Sequence, residues 1–127
     1  MPTGFVERVK GKSAIANQYQ QQNTAFFTSA IDNITATPSG TQGNSIMLTN
    51  TQTRITTAAS GSSVLLPAAQ PGASVVICND GAFTLGVWPS GIDKINAGSA
   101  GAKDTTVCTA ASVSIFYCFS AGQWRTK

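Results

Sequence analysis

The chain contains no histidine, and only 10 % of its 127 residues are charged. Without imidazole it lacks the side chain that most often serves as general base or metal ligand near neutral pH. The five carboxylates, Glu7, Asp32, Asp80, Asp93 and Asp104, form no recognisable acid–base pair or metal motif. A cysteine nucleophile would need a base that is missing. The spacings of Cys78, Cys108 and Cys118 match no zinc pattern, and no glycine-rich phosphate loop precedes a helix. The expectation is a protein that is not an enzyme and that carries no cofactor or metal. Asp93, near Gly91 and Asn96, reads as a turn former before a calcium ligand.

Long apolar runs are missing as well. No stretch approaches the roughly 20 apolar residues that a helix needs to cross a bilayer, so no membrane partner is expected. The first residues, Met1 to Arg8, lack a basic segment followed by an apolar one and do not read as a signal peptide. A net charge of +3 is too small to indicate a nucleic-acid partner. The three cysteines are an odd number and each lies within an apolar, strand-like run, so they read as buried free thiols of a protein made in a reducing cytoplasm.

What fills the space left by charge is Ser, Thr, Ala, Gly, Asn and Gln. The apolar fraction, 42 %, is that of a globular domain, whereas ordinary domains carry roughly 25 % charged residues. A surface so poor in charge suits a chain that works within an assembly better than a free monomer. From Ser45 onward short β-prone runs alternate with turns: Ile46–Leu48, Gln52–Thr57, Val64–Leu66 stopped by Pro67, Val75–Cys78, Phe83–Trp88 stopped by Pro89, Asp93–Asn96, Thr105–Cys108, Ser112–Phe119 and Trp124-Arg125. Asp80-Gly81 between two such runs predicts a tight hairpin with positive φ at both residues. Ser120–Gln123 predicts another. Val113, Ile115, Tyr117 and Phe119 share one face of the longest strand. The pattern implies an all-β fold, an antiparallel β-sandwich or barrel, jelly-roll-like, over residues 45–127.

Residues 1–44 read differently. Arg8, Lys10 and Lys12 stand against only Glu7, a Gln-rich tract surrounds Tyr19, and Thr37–Asn44 is a loop by composition. An extended N-terminal arm is expected here, ordered by neighbours, with Arg8, Lys10 and Lys12 on an acidic partner surface and Phe26 and Phe27 as anchors. The other reading is a solvated terminus whose two Phe pack on their own domain.

The run Val64-Leu-Leu-Pro67, Gly72–Asn79, Gly81, Leu85-Gly-Val-Trp-Pro89, Gly91, Ile95-Asn96 and Gly122-Gln-Trp124 resembles a β module of tailed-bacteriophage virion proteins. These include capsid decoration (cement) proteins and small head or tail fibre proteins. The resemblance covers about half the chain, residues 62–125, and rests on core and turn positions. It implies a small β domain that assembles, commonly as a trimer, on a virus particle made in a bacterial cytoplasm. Its partners would be the major capsid protein and further copies of itself. The alternative is a fibre, tail-tip or carbohydrate-binding module, with Trp88 or Trp124 stacking on a sugar; beside turns, both also read as core or interface aromatics.

Overall fold

A computed structural model describes residues 29–127 of the chain. Among them are ten strands and no helix: β1 (Ala30–Thr35), β2 (Ile46–Met47), β3 (Gln52–Thr57), β4 (Ser63–Leu65), β5 (Ser74–Asn79), β6 (Leu85–Trp88), β7 (Lys94–Ile95), β8 (Asp104–Cys108), β9 (Ser112–Ser120) and β10 (Gln123–Thr126). They form a six-stranded sheet in the order β1-β3-β5-β9-β10-β7 and a four-stranded sheet in the order β2-β4-β6-β8. The all-β expectation holds and two separate sheets are consistent with a sandwich, not a closed barrel, but both sheets are mixed where antiparallel pairing was expected.

Through the first six strands the chain alternates between the two sheets. Each strand then lies parallel to the one laid down a full coil earlier. Ala30 pairs with Gln52 and Gln52 with Val76; Ile46 pairs with Val64 and Val64 with Val87. The result is three flattened coils stacked on one another, each burying its apolar side against the next. Antiparallel strand pairs are β5–β9, β9–β10 and β6–β8, with one isolated antiparallel bridge between Thr37 and Ser63. The β9–β10 hairpin forms where Gly122, at φ 76°, permits the turn, and it fills the sheet between β5 and β7. Strand stops follow the prolines. Leu66 N still donates to Trp88 O at 2.8 Å, and then Pro67 has no N–H to continue the ladder.

The Asp80-Gly81 hairpin does not form. β5 and β6 lie in different sheets, and neither Asp80 nor Gly81 has positive φ. Two features send the chain across instead. Asn79, fully buried, donates its Nδ2 hydrogens among Phe83 O at 3.0 Å, Cys108 O at 3.0 Å and Thr109 O at 3.2 Å, and its Oδ1 accepts from Gly81 N at 3.0 Å. One amide thereby ties the end of β5 to the end of β8 and to the crossing loop. Gly81 is needed for space: a Cβ there would lie 2.7 Å from Ala58 Cβ and 2.9 Å from Ala58 N.

Composition also set the strand boundary too late. Residues 30–35, read as arm, form β1 beside β3, and Ala36 is buried in the core. Ala36 N donates to Thr57 O at 2.9 Å, and Thr37 and Ser63 exchange backbone hydrogen bonds at 3.0 Å. Irregular patterning concealed this strand: β1 lies at the sheet edge and is mostly exposed, and Asn33, at φ 58°, breaks the alternation between Ile31 and Ile34. One core fills the space between the sheets, with Ile55, Ile77, Phe116 and Trp124 from one side and Val64, Leu85 and Val87 from the other. Each such side chain stabilises by about 1.5–3 kcal/mol relative to exposure.

The corner at Asn79 is testable by unfolding experiments. Asn79→Ala strands the Gly81 N–H and buried carbonyls, each costing about 1–3 kcal/mol, so a loss of at least ~2 kcal/mol is expected. Gly81→Ala forces the backbone off Ala58, with an overpacking cost of about 1–3 kcal/mol. Ala58→Gly in the same chain should recover only part of it, because the Ala58 N–H still crowds the added methyl.

Candidate functional site

The outward face of the six-stranded sheet carries the arrangement most unlike an ordinary surface. Alternation along β9 turns Ser114, Phe116 and Cys118 inward and Val113, Ile115, Tyr117 and Phe119 outward. Phe119 is 76 % exposed, Val113 60 % and Tyr117 37 %. The more apolar set of the longest strand therefore faces away from the core. On β5, beside it, Val75, Ile77 and Asn79 point in while Val76 and Cys78 point out. The register sets Val76 next to Ile115 and Cys78 next to Val113. Tyr117 and Phe119 rings lie 5.9 Å apart, tilted by 34°, within the range of favourable aromatic pairs. A single exposed apolar residue needs no explanation, but a contiguous stripe across two central strands marks an interaction surface.

Charge frames the stripe unevenly. On the β1–β3 side Arg54 donates from Nε to Asp80 Oδ2 at 2.7 Å and from Nη1 to Asp32 Oδ1 at 3.0 Å. The Arg54 hydrogen bond, helped by the Asn33 N–H, holds the Asp32 carboxyl below its ordinary range, and the two carboxylates make Arg54 more basic still. Two carboxylates around one guanidinium leave a local excess of negative charge. On the other side Arg125 sits in register with Tyr117, Lys127 exchanges backbone hydrogen bonds with Ile115, and Lys94 is exposed on β7. A shallow groove of about 480 Å³ runs between Ile31, Arg54, Val76, Cys78 and Val113.

A second open region lies at the end of the coil stack. β1 and β2 have no strand beyond them among the described residues, and Ile31, Ile46 and Met47 are exposed there. Edge strands of this kind present unpaired N–H and C=O groups to any further chain.

The residues singled out by sequence fare variously. Arg8, Lys10, Lys12, Phe26 and Phe27 lie outside the described residues. Trp124 is fully buried at the centre of the core, which removes it as a sugar platform. Trp88 is half-buried; its Nε1 donates to Gly40 O at 3.3 Å and Lys103 Nζ lies 5.4 Å from its ring centroid. Asp93 Oδ2 accepts from Ala69 N at 2.8 Å, tying two loops. Asp104 Oδ1 accepts from Thr106 N at 2.9 Å and Val107 N at 3.0 Å, a local turn. Among the described residues no three Cys, Asp or Glu groups converge as a metal site would require.

The cysteines are all unbridged, but they are not equivalent. Cys108 and Cys118 are buried, and burial pushes the Cys108 thiol up to about 11. Cys78 stands half-exposed on the outward face, its acidity weakened by partial burial and then by the Asp80 carboxylate. Since the thiolate is the reactive form, native alkylation should modify Cys78 alone, at a rate that climbs as pH rises beyond the ordinary thiol range. Cys108 and Cys118 should react only after denaturation. Peptide mass spectrometry of native and denatured protein checks this; equal labelling of Cys78 and Cys108 in the native state would contradict the placement of both.

No family model, no curated protein and no solved structure matches this chain.

Proposed function

We propose that this chain is a non-enzymatic assembly protein of a tailed-bacteriophage virion, a decoration or cement protein that binds the assembled head shell through the major capsid protein. The observation that carries this reading is the outward stripe of Val113, Ile115, Tyr117 and Phe119 on a surface otherwise poor in charge. Such a surface is cheaper to desolvate over a broad contact than one studded with Lys and Glu. The open edges at β1 and β2 add a place where a neighbouring strand can pair. In this reading Arg8, Lys10, Lys12, Phe26 and Phe27 supply further contacts to the shell. Many copies, each engaging at two places, gain by effective concentration. The shell is stabilised because the protein binds the assembled state and not free subunits.

The stacked parallel coils favour a second reading within the same class of particle. A coil stack lengthens by adding turns, which suits a segment of a head or tail fibre.

Particles prepared without this protein separate the two. Under the cement reading they release DNA at a lower temperature than complete particles, and purified protein rebinds and restores the difference. Unchanged heat resistance together with failure to rebind sinks it. Loss of adsorption to host cells with heat resistance intact moves the chain to the fibre.

A further inference from the structure

We infer that Asp80–Gly81 is a latent modification site, at which aspartate converts spontaneously to isoaspartate, and that the fold keeps it silent by holding the two reacting groups apart. This goes beyond the virion reading and does not depend on it.

The reaction is general to aspartate followed by glycine, and this is the only Asp-Gly step in the chain. Glycine has no Cβ beside its N–H, so the nitrogen is open to the preceding carboxyl. The Asp80 carboxylate first takes a proton from water. Gly81 N then bonds to Asp80 Cγ, and one carboxyl oxygen leaves as water with the Gly81 amide proton. A five-membered succinimide results. Water reopens it at either carbonyl. Addition at the Asp80 main-chain carbonyl carbon breaks the bond from that carbon to Gly81 N, and the main chain then runs through Asp80 Cγ. The water lost is regained, so the mass is unchanged, but the backbone is longer by one methylene.

Three sets of contacts oppose ring closure in the folded chain. The carboxyl is tethered at the surface: Arg54 Nε donates to Asp80 Oδ2 at 2.7 Å, and Arg54 is itself fixed through Nη1 to Asp32 Oδ1 at 3.0 Å. The nitrogen is drawn inward: Gly81 is buried, and its N–H donates to Oδ1 of the fully buried Asn79 at 3.0 Å. The backbone between them is clamped. Asp80 N donates to Ile55 O at 2.8 Å, and Gly81 lies so close to Ala58 that an added Cβ would be 2.9 Å from Ala58 N. Ring closure therefore waits for this corner to open, and a reaction of an opened state tracks the population of that state. The same contacts give the product a consequence. An extra methylene between Asn79 and Gly81 has no room where Asn79 Oδ1 and Ala58 both meet Gly81. A chain that isomerises while unfolded is lost to refolding.

The test ages the folded chain, and the same chain held in urea, at neutral pH. Isoaspartate at residue 80 is read by electron-transfer fragmentation of the peptide that contains it. The unfolded chain should accumulate it at the rate of a free peptide of residues 76–84. The folded chain should do so about a thousandfold more slowly, the lower end of ordinary folding equilibrium constants. Arg54→Ala frees the carboxyl and should raise the folded rate several-fold, the scale of an exposed ion pair, beyond what its change in stability toward urea accounts for. Asp80→Glu would need a six-membered ring; it should stay unmodified in urea and refold fully after ageing, whereas the aged parent loses recovery in proportion to its isoaspartate. Isoaspartate forming in the folded parent at the unfolded rate, none forming in urea, an Arg54→Ala rate that rises only in step with its stability, or full refolding of isomerised parent overturns the proposal.

Discussion

The buried carboxamide of Asn79 is the interaction on which the rest of this architecture turns. Up to that residue the chain winds in parallel coils; from there it must cross to the other sheet and then close the stack with antiparallel strands. A corner of this kind leaves carbonyls facing inward with no ladder partner, and buried unpaired carbonyls are costly. One side chain supplies hydrogens to Phe83, Cys108 and Thr109 while taking the Gly81 N–H. The bare backbone of Gly81 then fits against Ala58. Asp80 continues the coil, its N–H donating to Ile55 O at 2.8 Å, and its carboxylate reaches Arg54 on the surface. Interior order and the acidic flank of the outward face arise from three consecutive residues.

Coil stacking has consequences for energy and for function. Parallel neighbours are distant in sequence, so loop closure precedes the reward of pairing and such folds form slowly. In return, the two sheets share one core, and their outward faces are left free of core duty. The four-stranded sheet and the connecting loops absorb their polar atoms locally. Ser45 and Ser63 hydroxyls, both buried, bond each other at 2.6 Å, and the Ser62 hydroxyl accepts from Ala59 N at 3.0 Å. Thr53 Oγ1 and Trp124 Nε1 are buried polar atoms without a partner among the described residues, a cost that the surrounding apolar burial must offset. On the outward face of the larger sheet the exposed apolar side chains of Val113, Tyr117 and Phe119 instead lie together along one strand.

Much of the strand inventory was legible in the sequence. β3, the β9–β10 hairpin and the stops at Pro67 and Pro89 are local matters of β propensity, glycine φ and missing N–H groups, and they stand where those rules put them. β1 was not legible. Asp32 and Asn33 look like turn residues, yet an edge strand needs only backbone pairing on one side, and Arg54 of the next coil secures Asp32. The candidate face was half legible: the alternation of Val113, Ile115, Tyr117 and Phe119 is plain, but Phe116 and Cys118 make the opposite side of β9 apolar too. Period-two patterning cannot tell which side is inward when both are apolar.

The sequence by itself determined that residues 45–127 are all β, that their strands are short, that their cysteines stay unpaired and that charge is scarce, because each of these follows from residue types and their immediate neighbours. Only the tertiary structure decided which strands are partners and which face is buried. Asp80-Gly81 offers the same local chemistry to a hairpin and to a crossing; the choice was made by Asn79 reaching carbonyls of Cys108 and Thr109 and by the closeness of Ala58. Those contacts join residues far apart along the chain, and no local rule contains them.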